Sequence, residues 1–498
     1  MNVLKKLAGQ TAIYGISSIV GRLLNYLLVP LHTKIFFEGE FGIITDLYAH
    51  VAFFTILYTY GMETAFFRFA TKGNKQDAYN SAQTSVLISS VVFTSLIYLN
   101  ASPISHFLGY PDKSHIIQWL ALILFIDGII ALPFAKLRLE NKALRFVLAR
   151  MGGIALTVIL NLVFLILFED IHQGKYLTNL QSFVNSIYDP NLRIGYIFLA
   201  NLIGNALVLL ILWKEFFDFK FRIDWSYLKP MIYYGIPIFI MGIAGMVNEQ
   251  MDKILFVDLL PDGFYPGKTS LDALGIYGAS FKLSIFMLLG IQAFRYAAEP
   301  FFFSKSQDQD SPQLFAQIMH YFVIVCIIIF VAVSVNIDLI GKIFLTKSVF
   351  REALFIVPFL LIGKLFFGIY VNLSIWFKLT DKTIFGTYIS LIGAAITLIA
   401  NFMLVPKLGY LGAAMAGILC YFSMAVLCYV YGKKHYPIPY HLQPLAIYLI
   451  ASILVVYFSF LIRFENIWWD NLLNTGLTAG FVLIAFFIEK KKFSLYST

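Results

Sequence analysis

Long apolar stretches recur along the chain, and short polar segments separate them. Most of them are near the ~20 residues that an α-helix needs to cross the hydrocarbon core of a bilayer. Because backbone polar groups find no water in lipid, such stretches are expected to be helical. The pattern predicts fourteen membrane-spanning helices, at residues 11–36, 43–67, 80–100, 116–137, 146–168, 194–213, 231–257, 273–297, 316–336, 352–377, 383–404, 410–431, 443–462 and 472–488.

The composition supports this pattern. Of 498 residues, 59% are hydrophobic and only 13% are charged, and the mean hydropathy is +0.78. Soluble domains carry about 25% charged residues, so the chain is predicted to be an all-α integral membrane protein. The cysteines lie in apolar stretches without the spacing of metal ligands, so no metal or cofactor is expected. They are Cys326, Cys420 and Cys428.

Lysines and arginines are distributed unevenly among the segments that join the predicted helices. With a cytoplasmic N-terminus, the cytoplasmic segments carry more than twice as many as the outer ones. Because basic residues favour the cytoplasmic side, this bias predicts that both termini are cytoplasmic. The same bias explains the net charge of +9 without nucleic acid as a partner. The first apolar run is too long for a signal peptide, so it is expected to persist as the first helix.

The two halves of the chain repeat short sequence patterns in the same order. An even number of helices separates the copies, so the repeats are expected to be parallel and related by an axis along the membrane normal. The repeats predict six-helix lobes at residues 1–218 and 219–436, followed by two extra helices at 437–498. The matching pairs are YGI at 14–16 and 234–236, HTKIF at 32–36 and MDKILF at 251–256, LTVILNLVFLI at 156–166 and ITLIANFMLVP at 396–406 (which aligns Asn161 with Asn401), and IGYIFLANLIG at 194–204 and LGYLGAAMAGI at 408–418.

Helix one carries a polar stripe with Arg22 near its centre. An arginine at the bilayer midplane costs about 2.5 to 3.5 kcal/mol on insertion scales, so it needs a wet cavity or a partner. Two interpretations stay open: Arg22 faces a water-filled cavity where it binds an anion, or it forms a buried pair with an acid such as Asp127. The helical repeat places on one face Thr11, Ser18, Arg22, Asn25 and His32.

Acidic residues within the predicted spans are either coupling groups or structural partners. Glu249 and Lys253 are spaced i,i+4 in the favoured order, which predicts a salt bridge between them. The acids are Glu63, Asp127, Glu249 and Asp252.

Basic residues within the spans are candidates for binding an anion. Arg295 can pair with Glu299 one turn away, whereas Lys282 and Lys364 have no partner nearby in sequence. Once local pairs are removed, Arg22, Lys282 and Lys364 remain able to meet a diphosphate. Arginine suits this role because its planar fork can bind phosphate oxygens bidentately.

Several motifs resemble the polysaccharide flippases of the MOP superfamily, most closely the Wzx-type O-antigen flippases. They are G-R-x-x-N-Y-x-x-x-P at 21–30, FGI at 41–43, LGIY at 274–277 and VPKLGYLGAAMAGILCY at 405–421. The lipid II flippases share this fold and rely on several arginines in the first lobe, where this chain has mainly Arg22.

The resemblance implies two six-helix lobes around a central cavity in the bacterial inner membrane. It also implies export of an undecaprenyl-diphosphate-linked oligosaccharide for O-antigen or other polysaccharide synthesis, with membrane lipid and other assembly proteins as partners. The residues expected to line a diphosphate and glycan cavity are Arg22, Asn25, Lys253, Lys282, Arg295 and Lys364.

Two other functions remain as alternatives. A MATE-like cation- or proton-coupled antiporter would use the acids of the spans. An integral-membrane polysaccharide polymerase or ligase would need a large outer loop, and the longest one here, 169–193, lacks paired carboxylates with a nearby base. GFYPGKT at 263–269 is one residue short of a Walker A loop, and Asp308 and Asp310 form an isolated DxD. The sequence therefore favours a transporter over an enzyme.

Overall fold

The computed structural model describes residues 15, 19–71, 73–305, 308, 310–462, 464 and 466–496. This part of the chain is almost entirely helical and contains no strand. Eleven of its helices are long and apolar enough to cross a membrane, and the bent pair at 270–303 makes a twelfth. The helix Gly195–Ile211 is apolar but only 17 residues long. Part of the predicted first span, residues 11–14 and 16–18, lies outside the described residues, so the total of fourteen stays a prediction.

The chain divides into two compact units. Unit 1 comprises residues 1–36 and 46–246, and unit 2 comprises residues 37–45 and 247–498. The divisions at residues 45/46 and 246/247 fall inside long helices. The beginning of the second predicted helix therefore belongs to unit 2, and most of the seventh belongs to unit 1. The predicted lobe boundary at residue 218 is not tested by this division and stays a prediction.

The helices of unit 1 form an all-α core in which apolar faces pack on one another. A π-helical segment at Val163–Leu167 continues the fifth predicted span. The helices up to the unit boundary are α1 Val29–Ile35, α2 Glu38–Thr59, α3 Met62–Ala70, α4 Lys75–Leu99, α5 Ala101–Phe107, α6 Ser114–Leu139, α7 Ala143–Leu162, α8 Phe168–His172, α9 Gln181–Ile187, α10 Gly195–Ile211, α11 Trp213–Phe217 and α12 Trp225–Ile254.

Unit 2 repeats the order of helix packing seen in unit 1. In unit 1 the third predicted span packs on the fourth, the fifth on the sixth and the fourth on the sixth. In unit 2 the ninth packs on the tenth, the eleventh on the twelfth and the tenth on the twelfth, as an internal repeat predicts. The last two helices pack on α16. The helices are α13 Phe256–Leu259, α14 Ser270–Lys282, α15 Ile285–Lys305, α16 Ser311–Val335, α17 Ile337–Phe344, α18 Val357–Leu373, α19 Ile375–Leu379, α20 Ile384–Leu408, α21 Tyr410–His435, α22 Leu442–Leu461 and α23 Ile467–Tyr496.

Several spans that were predicted as continuous helices are interrupted, and the second and eighth are described here. The second breaks at Tyr60 and Gly61, where φ is +29° and +77°. A Cβ on Gly61 would lie 2.7 Å from the carbonyl oxygen of Gly235, so the break brings two backbones together. The eighth breaks after Lys282, and its two parts meet at an angle of 43°. Apolar periodicity does not reveal such breaks because both parts keep an apolar surface.

The segment between α11 and α12 is fastened to α4 by side chains. Backbone N–H groups of alternate residues 220, 222 and 224 donate to side-chain oxygens of Asn80, Thr84 and Ser81 at 3.0, 3.2 and 3.1 Å. This segment is neither helix nor strand, so its N–H groups need acceptors from outside the segment. The polar face of α4 supplies them. The segment therefore belongs structurally to unit 1.

The GFYPGKT segment leads into a helix cap and not into a nucleotide loop. Thr269 and Asp272 form a capping box at the start of α14, with the Asp272 amide donating to the Thr269 hydroxyl at 3.1 Å. Lys268 pairs with Glu352 at 2.7 Å. Both residues that make the motif resemble a Walker A loop thus have structural partners.

Candidate functional site

Arg22 and Asn25 are exposed on the helical segment that precedes α1. The other side of this segment packs closely, since a Cβ on Gly21 would lie 2.6 Å from Cδ1 of Ile154. Among the described residues Arg22 forms no ion pair. An exposed, unpaired guanidinium within an apolar helix can be stable only where water or a polar ligand reaches it.

His32, the remaining described residue of the predicted stripe, does not share this exposure. His32 is only 6% exposed, and its Nε2 lies 3.1 Å from Oδ1 of Asn161. The helix is interrupted by a turn at residues 27–28, just before Pro30, so the face carrying Arg22 does not continue to His32. The prediction of one continuous face is therefore wrong at its His32 end. Thr11 and Ser18 lie outside the described residues.

The acids predicted in unit 1 have partners other than Arg22. Asp127 accepts a hydrogen bond of 2.9 Å from the amide of Asn205. Glu63 forms a salt bridge with Arg138. The alternative of a buried pair between Arg22 and an acid such as Asp127 is not found among the described residues, where Arg22 is exposed.

Unit 2 contains a partly open cavity with polar lining residues among α12, α14, α18, α20 and α21. Its empty space is about 390 Å³, including the part that is open to the surroundings, and small residues of α21 form part of its wall. Four of the predicted site residues gather at this cavity or beside it. They are Glu249, Asp252, Lys253 and Lys364.

Lys253 and Asp252 form the tighter of two ion pairs there. Nζ of Lys253 lies 2.9 Å from Oδ1 of Asp252, and the other carboxylate oxygen accepts a 2.5 Å hydrogen bond from Tyr277. The ammonium also lies 3.6 Å from the centre of the Phe281 ring. Lys253 is only 5% exposed, so carboxylate, ring and backbone together compensate for the lost hydration of its charge.

Glu249 and Lys364 form the looser pair. Nζ of Lys364 lies 3.8 Å from Oε1 of Glu249, and aromatic rings surround the same ammonium. Lys253 also donates to the backbone oxygen of Glu249 at 2.9 Å. Among the ion pairs of the described residues, Lys253 meets the carboxylate of the adjacent Asp252, and Lys364 from a distant helix meets that of Glu249, so the predicted Glu249–Lys253 salt bridge is not found there.

Neutral polar groups complete the cavity. The Thr397 hydroxyl donates to Oδ1 of Asn248 at 3.3 Å, and the Asn401 amide donates to the Thr397 carbonyl at 2.8 Å. Asn401 is fully buried, and its Oδ1 has no hydrogen-bond donor among the described residues. Sequence reasoning did not identify Thr397, Asn401 or Tyr277 as site residues, although the alignment of Asn401 with Asn161 marked one of them.

Lys282 and Arg295 lie at other places in unit 2. Lys282 is the last residue of α14, where a positive charge is favourable, and its ammonium lies 5.0 Å from the centre of the Phe41 ring. Arg295 is exposed on α15 and lines a different cavity. The structure thus brings together two of the four basic unit 2 candidates, and it pairs each of those two with an acid.

Comparisons with known proteins agree with this architecture. A family model described as polysaccharide biosynthesis protein matches residues 7–306, which is more than half of the chain. No curated protein sequence matches. The chain is similar to a structure of the lipid II flippase MurJ in an inward closed conformation, with a TM-score of 0.74 and 14% identity over 97% of this chain and 99% of that one.

More distant structures share the same arrangement of helices. An inward-facing multidrug resistance MATE family transporter of the MOP superfamily matches with a TM-score of 0.60 and 12% identity, over 88% of this chain and 96% of that one. A eukaryotic MATE transporter matches with a TM-score of 0.54 and 13% identity, over 90% and 98%. The chain therefore has a MurJ- and MATE-like membrane fold, and it belongs to the polysaccharide biosynthesis protein family.

Proposed function

We propose that this protein is a flippase for lipid-linked oligosaccharides. It moves an undecaprenyl-diphosphate-linked glycan from the inner to the outer leaflet of the bacterial inner membrane by alternating access, in O-antigen or related polysaccharide synthesis. Its partners are the glycolipid, membrane lipid and other polysaccharide-assembly proteins, and both termini are cytoplasmic. The observation that carries this proposal is Arg22, an exposed guanidinium without an ion pair among the described residues.

The chemistry of the substrate fits such a residue. A diphosphate offers several anionic oxygens, and a guanidinium can bind two of them in one plane. Asn25 follows Arg22 by about one turn and is also exposed, so it adds a neutral polar group beside the charge. Outward movement of negative charge is favoured by about 2.3 kcal/mol per charge for each 100 mV of inside-negative potential. The transport therefore has a driving force without an ATPase domain.

The lysines of unit 2 differ in how readily they could bind the phosphate groups of the substrate. Lys253 is held at 2.9 Å by Asp252, so it acts mainly within that pair. The Lys364–Glu249 distance of 3.8 Å is near the limit of an ion pair, so Lys364 can exchange its partner for phosphate more readily. Lys282 and Arg295 complete the proposed set of basic residues.

The antiporter alternative is less favoured by the unit 2 cavity. A cation antiporter needs acids that can accept a cation or a proton, yet lysine ammonium groups meet both Glu249 and Asp252. In unit 1, Glu63 is paired with Arg138. These contacts support structural or conformational roles for the acids and leave less acidic charge for a cationic substrate.

Arg22 provides the test. We expect Arg22→Ala to abolish glycan export at near-normal abundance, because no buried acid loses its partner. Arg22→Lys should retain part of the export, since lysine keeps the charge but loses the planar fork. Leu23→Ala, which alters an adjacent exposed residue, is the matched control and should export normally. Lipid-linked glycan that accumulates on the cytoplasmic side measures the defect, and full export by well-folded Arg22→Ala protein would defeat the proposal.

A further inference from the structure

Large aromatic side chains are exposed along residues 213–229, hereafter the joining segment, which connects α10 to the first turns of α12. They recur every four residues and are Trp213, Phe217, Phe221 and Trp225, with exposed fractions of 53%, 72%, 68% and 67%. Most of the segment lies between the predicted spans 194–213 and 231–257, so contact with the hydrocarbon core does not account for this exposure. Exposed apolar patches of this kind mark interaction surfaces.

Exposed basic side chains accompany the aromatic ones. They are Lys214, Lys220, Arg222 and Lys229. In the part of the chain that the structure describes, none of these four forms a salt bridge with a carboxylate. The Lys214 ammonium lies 5.6 Å from the centre of the Trp213 ring, which places a positive charge beside an aromatic side chain. The joining segment therefore presents cations and rings together.

The acids of the joining segment interact mainly with unit 1 itself. Glu215 forms a salt bridge of 2.8 Å with a basic residue of α7, and Asp218 forms one of 2.6 Å with a basic residue of α6. Asp224 attracts Arg222 through space, and its carboxylate accepts hydrogen bonds of 2.9 and 2.6 Å from Ser226. Two of the three acids are thus neutralised within unit 1, so the exposed basic side chains outnumber the remaining acid.

The exposed apolar face of α10 continues onto the joining segment. Ile203, Leu210 and Phe217 are exposed at intervals of seven residues, which keeps them on one helical face. A single turn residue, Leu212, separates α10 from α11. A surface that continues an apolar span and gains positive charge fits the boundary between the hydrocarbon core and the lipid headgroups.

The backbone of the joining segment is held in place by unit 1. The N–H groups of residues 220, 222 and 224 donate to side chains of α4. Because these hydrogen bonds fix the backbone on both sides of Phe221, binding of a ligand there would order only side chains. Less conformational entropy is then lost on binding.

We propose that the joining segment is an interfacial anchor that binds the anionic phospholipid surface of the bilayer. Its aromatic side chains lie at the level of the headgroups, where aromatic rings are favoured. Its lysine and arginine side chains bind lipid phosphates, which attract basic segments next to a membrane. On the predicted cytoplasmic side of the protein, this surface is the inner leaflet. The anchor is separate from the proposed transport site at Arg22.

Nitroxide labels on the full-length protein in nanodiscs test this anchor. Phe217→Cys and Phe221→Cys each introduce one accessible thiol, because the three native cysteines are buried. Molecular oxygen is enriched in the bilayer and a nickel chelate stays in water, so the ratio of their collision rates with the label reports immersion. In nanodiscs that contain phosphatidylglycerol, we expect a higher ratio at both positions than at Asp112→Cys, an exposed position outside the joining segment.

Charge variants test the basic side chains. In labelled Phe221→Cys protein, replacing phosphatidylglycerol by phosphatidylcholine should shift the label toward water. Lys220→Gln combined with Arg222→Gln should do the same with phosphatidylglycerol present, and it should lower the ratio of immersed to aqueous label about fivefold for each basic residue removed. Lys433→Gln combined with Lys434→Gln removes the same charge from exposed lysines at the end of α21 and should change nothing.

Three outcomes would overturn the anchor. In the first, the labels at residues 217 and 221 collide with the nickel chelate as often as the label at residue 112. In the second, immersion is the same in both lipids and in the Lys220→Gln, Arg222→Gln variant, since aromatic contact alone would then explain it. In the third, the labels are shielded from both reagents, which would show that a protein surface such as a second copy of the chain covers the segment. Glycan export does not enter these measurements, so their result is independent of the flippase proposal.

Discussion

Equivalent helices of the two units carry the same glycine, threonine and asparagine positions, but the asparagines have different neighbours. In α7 of unit 1 and α20 of unit 2, a threonine hydroxyl donates to a glycine carbonyl at 3.0 Å, and an asparagine amide donates to the threonine carbonyl at 2.8 Å. In unit 1 the asparagine oxygen lies 3.1 Å from His32. In unit 2 it has no donor among the described residues. The aligned residues are Gly153, Thr157 and Asn161 in unit 1, and Gly393, Thr397 and Asn401 in unit 2.

The N-terminal ends of α10 and α21 show the opposite relation, because both make the same kind of aromatic contact. Tyr196 lies in the first turn of α10 and stacks on Tyr188, with ring centres 5.1 Å apart. Tyr410 begins α21 and stacks on Tyr265, with ring centres 4.1 Å apart. Structural packing is thus similar at these ends, while the polar centres differ. Unit 1 has a His32–Asn161 contact where unit 2 has two ion pairs near Asn401, so the aligned asparagines have different polar surroundings.

The largest effect is expected from the charged centre of unit 2. Lys253→Met would leave Asp252 half-buried without its ammonium partner, which typically costs about 3 to 5 kcal/mol. We expect a lower membrane abundance and a lower melting temperature of the purified protein. Adding Asp252→Asn should restore part of the loss, because the uncompensated charge is removed. Lys268→Met is the matched control, since its more exposed pair with Glu352 should contribute no more than about 1 kcal/mol. A double variant no more stable than Lys253→Met would show that Asp252 is not the residue that needs Lys253.

The sequence predicted the spans and the alignment of Asn161 with Asn401 because both depend on local patterns. The length of an apolar run defines a span. The spacing of four residues between Gly153, Thr157 and Asn161 lets each polar side chain reach a carbonyl one helical turn earlier. The choice of ion-pair partners depends on distant elements instead. Lys253 satisfies an i,i+4 rule with Glu249, yet Tyr277 holds Asp252 where it can accept the ammonium. Lys364 reaches Glu249 from another helix, and no spacing rule could identify that contact.

Loss of the His32–Asn161 contact in unit 1 should lower stability less than loss of the unit 2 ion pair. His32→Leu would leave the buried oxygen of Asn161 without its donor, which costs about 1 to 3 kcal/mol. The melting temperature of the purified protein should fall measurably. Adding Asn161→Leu should recover part of it, because replacing both polar partners by apolar groups is nearly neutral. A melting temperature unchanged by His32→Leu would mean that the two units do not differ in this way.

The aromatic stacks should respond alike in the two units. Tyr188→Leu and Tyr265→Leu each remove a ring pair, which contributes about 0.5 to 1.5 kcal/mol beyond the apolar area that leucine retains. Each change also removes one hydrogen bond of the tyrosine hydroxyl, to Glu169 or from the Tyr410 amide. Similar losses in melting temperature are expected, and Tyr176→Leu, an exposed tyrosine outside the stacks, serves as the control. A large loss of melting temperature for only one of the two variants would show that the two aromatic stacks do not contribute equally to stability.

The smallest effect is expected at Asn401, and it sharpens the comparison most. Asn401→Leu removes one hydrogen bond to the Thr397 carbonyl, but it also removes a buried oxygen that no described residue satisfies. Because these effects oppose each other, the net change should stay within about 1 kcal/mol. Asn161→Leu loses the same helix contact and also the contact of the Asn161 oxygen with His32, so its melting temperature should fall further. Equal losses for the two leucine variants would mean that the Asn401 oxygen has a donor or a cation supplied from outside the chain. The cavity of unit 2 would then be a binding site in its own right, and export measured on the same Asn401→Leu protein would show whether transport depends on it.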